Sequence, residues 1–330
     1  MQFRIARGWH GMNFLEWDVR PGRGGAPLSP AASWRRFTHV WRRRRLAVSA
    51  ALAGTLLITG LLAAEIGARS IGAVDFPTYE ANPVTGYIPR ANTSGRLLGR
   101  DWVFNNRNMG VAAPFAPTSA TDVLLVGDSL VYGTSAYRQS QRLGPSLQTL
   151  SGVPVWPIGA GSWSVANEVA WLNANPDIVA SADRLVFIFN YADIQAASVW
   201  KSDLTHPRHH PVSAVAYLAG KTFFKPPGDD PRFGEEGPVL ARWRHFATGY
   251  GRRIDVILYP DRKVMTDPVA LAAYRQRLAL LAAPNVVFHD LTHDPRWTTD
   301  DYLDNIHPRP GSVIKVARFM NDELDLRAAP

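Results

Sequence analysis

The stretch that decides the fold is VLLVGDSLVYG at residues 123 to 133. Its four leading apolar residues predict a buried parallel strand, and Gly127, Asp128 and Ser129 then predict a tight turn into a helix. Asp and Ser are also preferred helix N-caps, so capping alone can explain these residues. The rest of the chain has to decide between a cap and a reactive serine.

Short apolar segments recur after residue 123 and alternate with longer amphipathic ones. The predicted strands are residues 123–126, 153–158, 184–189, 255–259 and 285–289, and the predicted helices are 166–172, 239–250, 268–281 and 312–326. This alternation predicts an α/β fold of three layers, with a five-stranded parallel sheet flanked by helices. Such sheets bind ligands at the carboxyl ends of their strands, which is where Ser129 follows its strand.

The positive charge of the chain is concentrated in its first 45 residues. They hold ten arginines and two acidic residues, whereas the remainder holds 26 basic and 26 acidic side chains. The net charge of +8 therefore describes a basic tail and not a nucleic-acid-binding surface. We expect no nucleic-acid partner.

An apolar run of 19 residues without charge, Leu46 to Ala64, directly follows Arg42 to Arg45. At about 1.5 Å per residue it spans a bilayer core of about 30 Å. The flanking arginines predict a single-pass helix in the inner (cell) membrane, with a cytoplasmic N-terminus and a periplasmic or extracellular catalytic domain. A buried helix of a soluble protein is the alternative.

These patterns give a predicted domain organisation. It consists of a cytoplasmic basic tail (1–45), a transmembrane helix (46–64), a stalk or irregular apron rich in turn formers (65–120) and the main domain (121–330). Residues 194–236 interrupt the alternation of strands and helices, which is typical of a lid, a binding loop or a mobile segment.

A catalytic serine needs a histidine base, and the base needs a carboxylate. The segment DNIHPRPG offers Asp304 and His307, three residues apart, just before the last amphipathic segment. The segment HDLTHD offers Asp290 and His293 at the same spacing. Because the proline and glycine after His307 mark the start of a helix, we favour Asp304 and His307.

Metal and thiol chemistry find little support in the sequence. His206, His209 and His210 of HPRHHP are weak support for a metal site. The chain has no cysteine, which excludes disulfides, thiol catalysis and zinc–cysteine sites. We expect no cofactor and no metal.

With a Gly-Asp-Ser block near the start of the domain and an Asp-x-x-His block near its end, residues 123–320 resemble the SGNH (GDSL-type) hydrolase superfamily. The resemblance implies that Ser129 is the nucleophile, His307 the base and Asp304 its partner. It also implies an oxyanion hole built from the N–H of Ser129, a glycine after the second strand and an asparagine after the third.

The two middle blocks of the family pattern are altered. The glycines of PIGAGSWS are shifted, so the donor is the N–H of Gly161 or of Ser162. In FIFNYADI, aligning Asp193 with the family aspartate places Ala192 at the asparagine position. Asn190 either supplies the missing amide by another path or is a turn residue that ends the strand.

The resemblance implies a membrane-anchored serine esterase or O-acyltransferase, because anchored members of this superfamily are linked to modification of envelope glycans. We favour acetyl esters of envelope or exported polysaccharide, since the insertion mixes Trp200, Phe223 and Phe224 with polar residues and so suits sugar rings. Packing of these aromatic side chains against the domain is the alternative. A lipase or thioesterase and a non-catalytic binding or assembly protein are competing interpretations. An integral-membrane acyl donor protein is a candidate partner.

Overall fold

The computed structural model of the protein describes residues 30–118, 121–194, 196–200, 202–224 and 236–326. The first 29 residues of the predicted tail lie outside the described residues, as do residues 195, 201 and 225–235 of the predicted insertion. The chain divides into two compact units, one ending at Leu61 and the other beginning at Leu62.

Helix α1 (Pro30–Ser70) precedes all the strands. Its segment Trp41–Ser70 contains an 18-residue stretch with a mean hydropathy of 2.1 and, in the described part of the chain, is the one helix long and apolar enough to cross a membrane. The helix extends on both sides of the predicted 46–64, and near its end Glu65 and Arg69, four residues apart, form an ion pair at 2.7 Å.

Two antiparallel hairpins follow α1. They are β1 (Tyr79–Asn82) with β2 (Gly86–Pro89), and β3 (Thr93–Leu97) with β4 (Arg100–Phe104). The sequence predicts a stalk or an irregular apron here, yet Tyr79, Tyr87 and Trp102 are at most 4% exposed. The hairpins are therefore packed parts of the folded unit, because their aromatic side chains are buried in it.

A five-stranded parallel sheet forms the centre of the larger unit and confirms the predicted fold class. Its strands are β5 (Val123–Gly127), β6 (Val155–Gly159), β7 (Arg184–Phe189), β8 (Ile254–Leu258) and β9 (Val286–Asp290). They lie in the order β6-β5-β7-β8-β9. Their bounds differ from the predicted ones by at most two residues.

Helices cover both faces of this sheet. They are α2 (Ser129–Tyr132), α3 (Leu143–Ser151), α4 (Val165–Ala174), α5 (Pro176–Ser181), α7 (Glu236–Tyr250), α8 (Pro268–Leu278) and α9 (Val313–Leu324). Helix α6 (Ala214–Phe223) packs instead in a separate apolar cluster with Val74 and Phe76. Alternate residues of β5 point to opposite faces, so Leu124 joins Trp243 in one core cluster while Leu125 joins Met320 in another. Burial on both faces explains why the strand sequences are continuously apolar.

The strand order reverses at β5, because β6 lies on one side of it and β7 on the other. Open α/β sheets place their binding crevice at such a reversal. Glycines allow the close approach there: a Cβ on Gly159 would lie 2.4 Å from the carbonyl oxygen of Gly127, and a Cβ on Gly127 would lie 2.7 Å from Val131. The end of β5 is thus shaped to present the residues that follow it.

Helix α6 lies within the predicted insertion and contacts the end of α1. The N–H groups of Ala214 and Val215 donate to the carboxylate of Glu65 at 2.8 and 3.0 Å. Arg69 donates to the carbonyls of Pro211 and Val212 at 3.0 and 2.7 Å. The described part of the insertion is therefore held by the residues that directly follow the apolar run.

Candidate active site

Ser129 is the first residue of α2 and directly follows the turn after β5. Asp128 is the N-cap, and its Oδ1 accepts the N–H of Leu130 at 2.8 Å. Asp128 therefore caps the helix, and the Ser129 side chain is not needed for capping. Ser129 instead lines a pocket of about 430 Å³. This volume suits a small-molecule or sugar-sized ligand.

His307 and Asp304 complete a chain of hydrogen bonds that begins at Ser129. The distance from Ser129 Oγ to His307 Nε2 is 2.9 Å, and the distance from His307 Nδ1 to Asp304 Oδ2 is 2.8 Å. Asp304 Oδ1 also accepts the backbone N–H groups of Ile306 and His307, at 2.9 and 2.8 Å. The structure therefore brings together the three residues that the sequence favours, although Ser129 and His307 are 178 positions apart.

The electrostatics of Asp304 suit a partner of a histidine base. Burial raises its pKa, but the hydrogen bonds from the N–H groups of His307 and Ile306 and from the imidazole outweigh burial, so the pKa lies below its ordinary value. An ionised Asp304 accepts Nδ1–H, which leaves the lone pair of Nε2 facing the Ser129 hydroxyl. The arrangement can therefore remove a proton from Ser129.

The other candidate pair does not reach the serine. The side chain of His293 is 71% exposed, its Nε2 lies 3.8 Å from Asp290 Oδ2, and neither residue lines the pocket of Ser129.

Three buried acidic residues, Asp128, Glu168 and Asp193, lie behind Ser129, and sequence reasoning missed them as a group. Asp128 Oδ2 lies 3.4 Å from Ser129 Oγ. Burial, and then the charge of Asp128, raises the pKa of Glu168 and of Asp193 well above their ordinary values. Burial also raises the pKa of Asp128. The hydrogen bond from the N–H of Leu130 and the charge of the His307 imidazole oppose this rise. In the sequence, these residues are marked only by being acidic residues that lie beside or within apolar segments.

The aromatic residues that the sequence singles out in the insertion do not line the pocket. Trp200 donates from Nε1 to the carbonyl of His206 and stacks under Arg208, whose guanidinium carbon is 3.7 Å from the ring centroid. Phe223 and Phe224 are 79% and 69% exposed. The aromatic walls come instead from Phe76, Tyr79, Trp102, Tyr132, Tyr137 and Tyr217.

The histidine cluster of the insertion makes structural contacts. His206 Nε2 lies 3.1 Å from the carbonyl oxygen of Gly161, and His210 Nε2 lies 2.9 Å from that of Phe76. No group of three metal-ligating side chains occurs among the residues that the structure describes.

No family model matches the sequence, and no curated protein matches it. Three solved structures that are similar in fold are a lipolytic protein of the G-D-S-L family from Veillonella parvula, a salicylyl acyltransferase from a tetracycline biosynthetic pathway, and an acetyl xylan esterase from the rumen bacterium Butyrivibrio proteoclasticus. Their identities to this chain are 14%, 14% and 11%, and their TM-scores are 0.36, 0.37 and 0.35. The matches cover 61%, 65% and 66% of this chain and 96%, 56% and 68% of the other chains.

In fold, this chain is similar to SGNH hydrolases of known structure.

The sequence predicts backbone oxyanion donors beside the nucleophile, and two of the predicted residues, Ser129 and Gly161, line the pocket. Ser129 is the first residue of α2, so its N–H has no acceptor within the helix. Gly161 lines the pocket, whereas Ser162, the alternative donor, does not. The carbonyl of Gly161 accepts the hydroxyl of Tyr87 at 2.6 Å, which fixes the orientation of this residue.

The predicted SGNH role of Asn190 does not match its position. Asn190 is 1% exposed and does not line the pocket. Its Nδ2 donates to Asp128 Oδ2 at 3.2 Å, and its Oδ1 accepts the N–H of Ala192 at 2.8 Å. Because both ends of the amide are used beneath the nucleophile, the structure favours the turn-residue interpretation.

Proposed function

We propose that the protein is a membrane-anchored serine esterase or O-acyltransferase that acts on acyl esters, foremost acetyl esters, of envelope or exported polysaccharide. The observation that carries the proposal is the chain of hydrogen bonds from Ser129 through His307 to Asp304, with distances of 2.9 and 2.8 Å. This is the geometry of a nucleophile, its base and the group that orients the base.

The proposed reaction follows from these positions. As Ser129 Oγ attacks the ester carbonyl carbon, His307 Nε2 takes the hydroxyl proton, and Asp304 offsets the charge of the imidazolium. The N–H groups of Ser129 and Gly161 donate to the oxyanion. The leaving alcohol receives the proton from His307, which leaves an acyl group on Ser129. Water, or a sugar hydroxyl in a transferase, then attacks the acyl carbonyl carbon while His307 Nε2 accepts its proton. The bond from that carbon to Ser129 Oγ breaks, His307 returns the proton to Ser129, and the free acid or the new sugar ester is released.

Without a side-chain amide in the oxyanion hole, we expect turnover to be slow. Ala192 stands at the family asparagine position, and Asn190 is committed to Asp128. Loss of one oxyanion donor costs about 2.7 to 4 kcal/mol of transition-state stabilisation. Two remaining backbone donors can therefore support slow turnover, and a non-catalytic binding protein is the competing function that Ala192 favours.

The pocket walls support a glycan over a long acyl chain. Tyr79, Tyr132 and Tyr137 combine aromatic faces with hydroxyl groups, and charged side chains share the same walls. Sugar rings present apolar faces edged by hydroxyls, so such walls suit them. A lipase or thioesterase would be expected to offer a more continuous apolar surface.

The function can be tested with the full-length protein in detergent. The protein is incubated with acetylated xylan, with and without an added acyl-ester donor, and acetate release and glycan acetylation are measured beside Ser129→Ala. Acetate release that depends on Ser129 supports an esterase, and donor-dependent acetylation of the glycan supports a transferase. Rapid cleavage of long-chain esters with no response to glycan would instead identify a lipase, and no turnover at all would favour a binding protein.

The proposed location is the inner membrane, with the N-terminus in the cytoplasm and the Ser129 domain outside it. Its support is the apolar segment of α1 together with the four arginines that precede it. A reporter fused after residue 75 should be active only if its activity requires export. Cytoplasmic reporter activity at this junction would overturn the topology.

A further inference from the structure

The pocket beside Ser129 has positively charged walls without a compensating carboxylate. Arg100, Arg142 and Lys221 line it, and no aspartate or glutamate is among the described residues that do so. None of the three cations forms an ion pair within the part of the chain that the structure describes. The charge of these walls is therefore available to a ligand.

Arg142 is the most unusual of the three because it is only 4% exposed. One of its terminal nitrogens donates to the carbonyl of Tyr132, and its guanidinium carbon lies 5.5 and 5.8 Å from the ring centroids of Tyr132 and Phe104. Its buried Nε has no hydrogen-bond partner in the described ranges of the chain. The guanidinium is thus held in place by one carbonyl and two aromatic rings, with no anion beside it.

Such an arrangement is costly for the folded protein. A guanidinium keeps its proton in proteins, so Arg142 cannot escape the cost of burial by becoming neutral. The cost of burying an ion is large, and cation–π contacts with the two rings offset only part of it. Burial also lowers the pKa of Arg142, while Tyr132, Tyr79 and the exposed Asp101 oppose this effect. An anion in the pocket would supply the missing compensation.

We propose that this pocket binds an anionic group, a carboxylate or a phosphate, carried by the glycan whose ester faces Ser129. The proposal rests on the proposed function and adds the substrate class: an acidic saccharide. Arg142 offers a planar set of donors that matches both oxyanions, and Arg100 and Lys221 add charge of the same sign nearer the solvent. The tyrosines of the pocket provide aromatic faces for the sugar ring itself.

Binding can be measured separately from turnover by using full-length Ser129→Ala in detergent. Calorimetric titrations compare oligogalacturonate, glucose 6-phosphate and neutral xylo-oligosaccharide, each at low and at high salt. We expect at least one of the anionic probes to bind about tenfold or more tightly than the neutral one, and its affinity to fall with added salt. Tight binding of only one anionic probe identifies the source of the charge. Equal affinity of all three probes, without a salt effect, would overturn the proposal.

Variants identify the residues that carry the preference. Arg142→Met removes the buried charge but keeps much of the side-chain volume. Because this variant can fail to fold, Arg100→Gln with Lys221→Gln removes two cations nearer the surface instead. The matched control is Arg318→Gln on α9, where an exposed arginine lies away from the pocket. The double variant should lose about tenfold in the preference for the anionic probe over the neutral one, and the control should lose none. An equal loss in the control would mean that the pocket does not provide the preference.

Failure of this inference and failure of the proposed function give different results. Turnover of neutral acetyl esters that depends on Ser129, with no preference for anions in Ser129→Ala, would reject the acidic saccharide and keep the esterase. Binding of anionic probes that needs Arg100 and Lys221, in a protein without turnover, would keep the anion site and reject the enzyme.

Discussion

The two Asp-x-x-His segments of this chain have the same spacing but different structures. In the first, Asp304 accepts two backbone N–H groups and the His307 imidazole, and His307 faces Ser129 at 2.9 Å. In the second, Asp290 caps the turn that contains His293 by accepting the N–H of Thr292 at 2.9 Å. Arg275 then donates to both Asp290 Oδ2 and His293 Nε2, at 2.9 and 2.8 Å.

The difference shows what a short motif can and cannot specify. Spacing of three residues lets a carboxylate reach the following loop in both segments, so local geometry alone does not select the base. What selects it is the distance to the carboxyl end of β5, where Ser129 begins α2. An arginine bound to His293 also occupies the nitrogen lone pair that a base would need.

The largest effects are expected from the nucleophile and the base of the first segment. Ser129→Ala and His307→Ala should each lower kcat by a factor of about 10⁴ or more, because the acyl-enzyme cannot form without either group. Release of acetate from an acetylated substrate by the purified protein measures this. Substantial activity in His307→Ala would show that another residue is the base.

A smaller loss is expected from Asp304→Asn. The amide keeps the shape of the carboxylate but cannot offset the imidazolium, and it favours the wrong tautomer of His307, so kcat should fall by about 10² to 10⁴. The pH profile of kcat, measured beside the wild type, separates this effect from misfolding. A variant with normal kcat at all pH values would show that Asp304 does not assist His307.

Glu168 and Asp304 differ in how burial and hydrogen bonds shift the pKa of a carboxyl group. Among the residues that the structure describes, neither carboxyl oxygen of Glu168 has a hydrogen-bond partner, and burial and then the charge of Asp128 raise its pKa well above its ordinary value of 4.5. The folded state therefore holds the proton more tightly than the unfolded state, so the free energy of unfolding falls as the pH rises above that value. Asp304 has the opposite sign: its lowered pKa stabilises the fold above its ordinary value of 3.8, and this is lost as the pH falls.

Glu168→Gln should consequently gain stability relative to the wild type as the pH rises. The slope of this gain should approach about 1.4 kcal/mol per pH unit above the ordinary pKa of 4.5 and below the raised pKa of the folded state, because glutamine has no proton to lose. Thermal unfolding followed by circular dichroism in detergent at several pH values measures it. A difference between variant and wild type that is independent of pH would show that Glu168 ionises normally in the folded protein.

The smallest effects are expected in the second segment. His293→Ala should leave kcat nearly unchanged and alter the free energy of unfolding by less than about 0.5 kcal/mol, because the side chain is largely exposed. Asp290→Ala should cost about 1 kcal/mol through loss of the cap, again with little effect on kcat. Denaturant unfolding and the acetate assay test the two expectations together. Loss of activity in His293→Ala with retention in His307→Ala would reverse the assignment.

The sequence alone determined the features that depend on local periodicity. Continuous apolar strands alternating with amphipathic segments predicted the parallel sheet, because burial on both faces demands such strands. The charge-free run after Arg42 to Arg45 predicted a helix that can span a membrane, since length and polarity are properties of consecutive residues. The Gly-Asp-Ser turn predicted the position of Ser129, because it follows a strand whose carboxyl end lies at the binding edge.

Only the tertiary structure decided which distant residues meet. The hairpins around Tyr79 and Trp102 form pocket walls, although turn-rich sequence suggested a stalk. Asn190 binds Asp128 rather than the pocket, and Arg142 is buried without a carboxylate. Each of these contacts joins residues tens of positions apart, and their hydrogen bonds and burial depend on how helices and loops pack on the sheet. Local sequence patterns carry no record of that packing, so the choice of partners appears only in the folded chain.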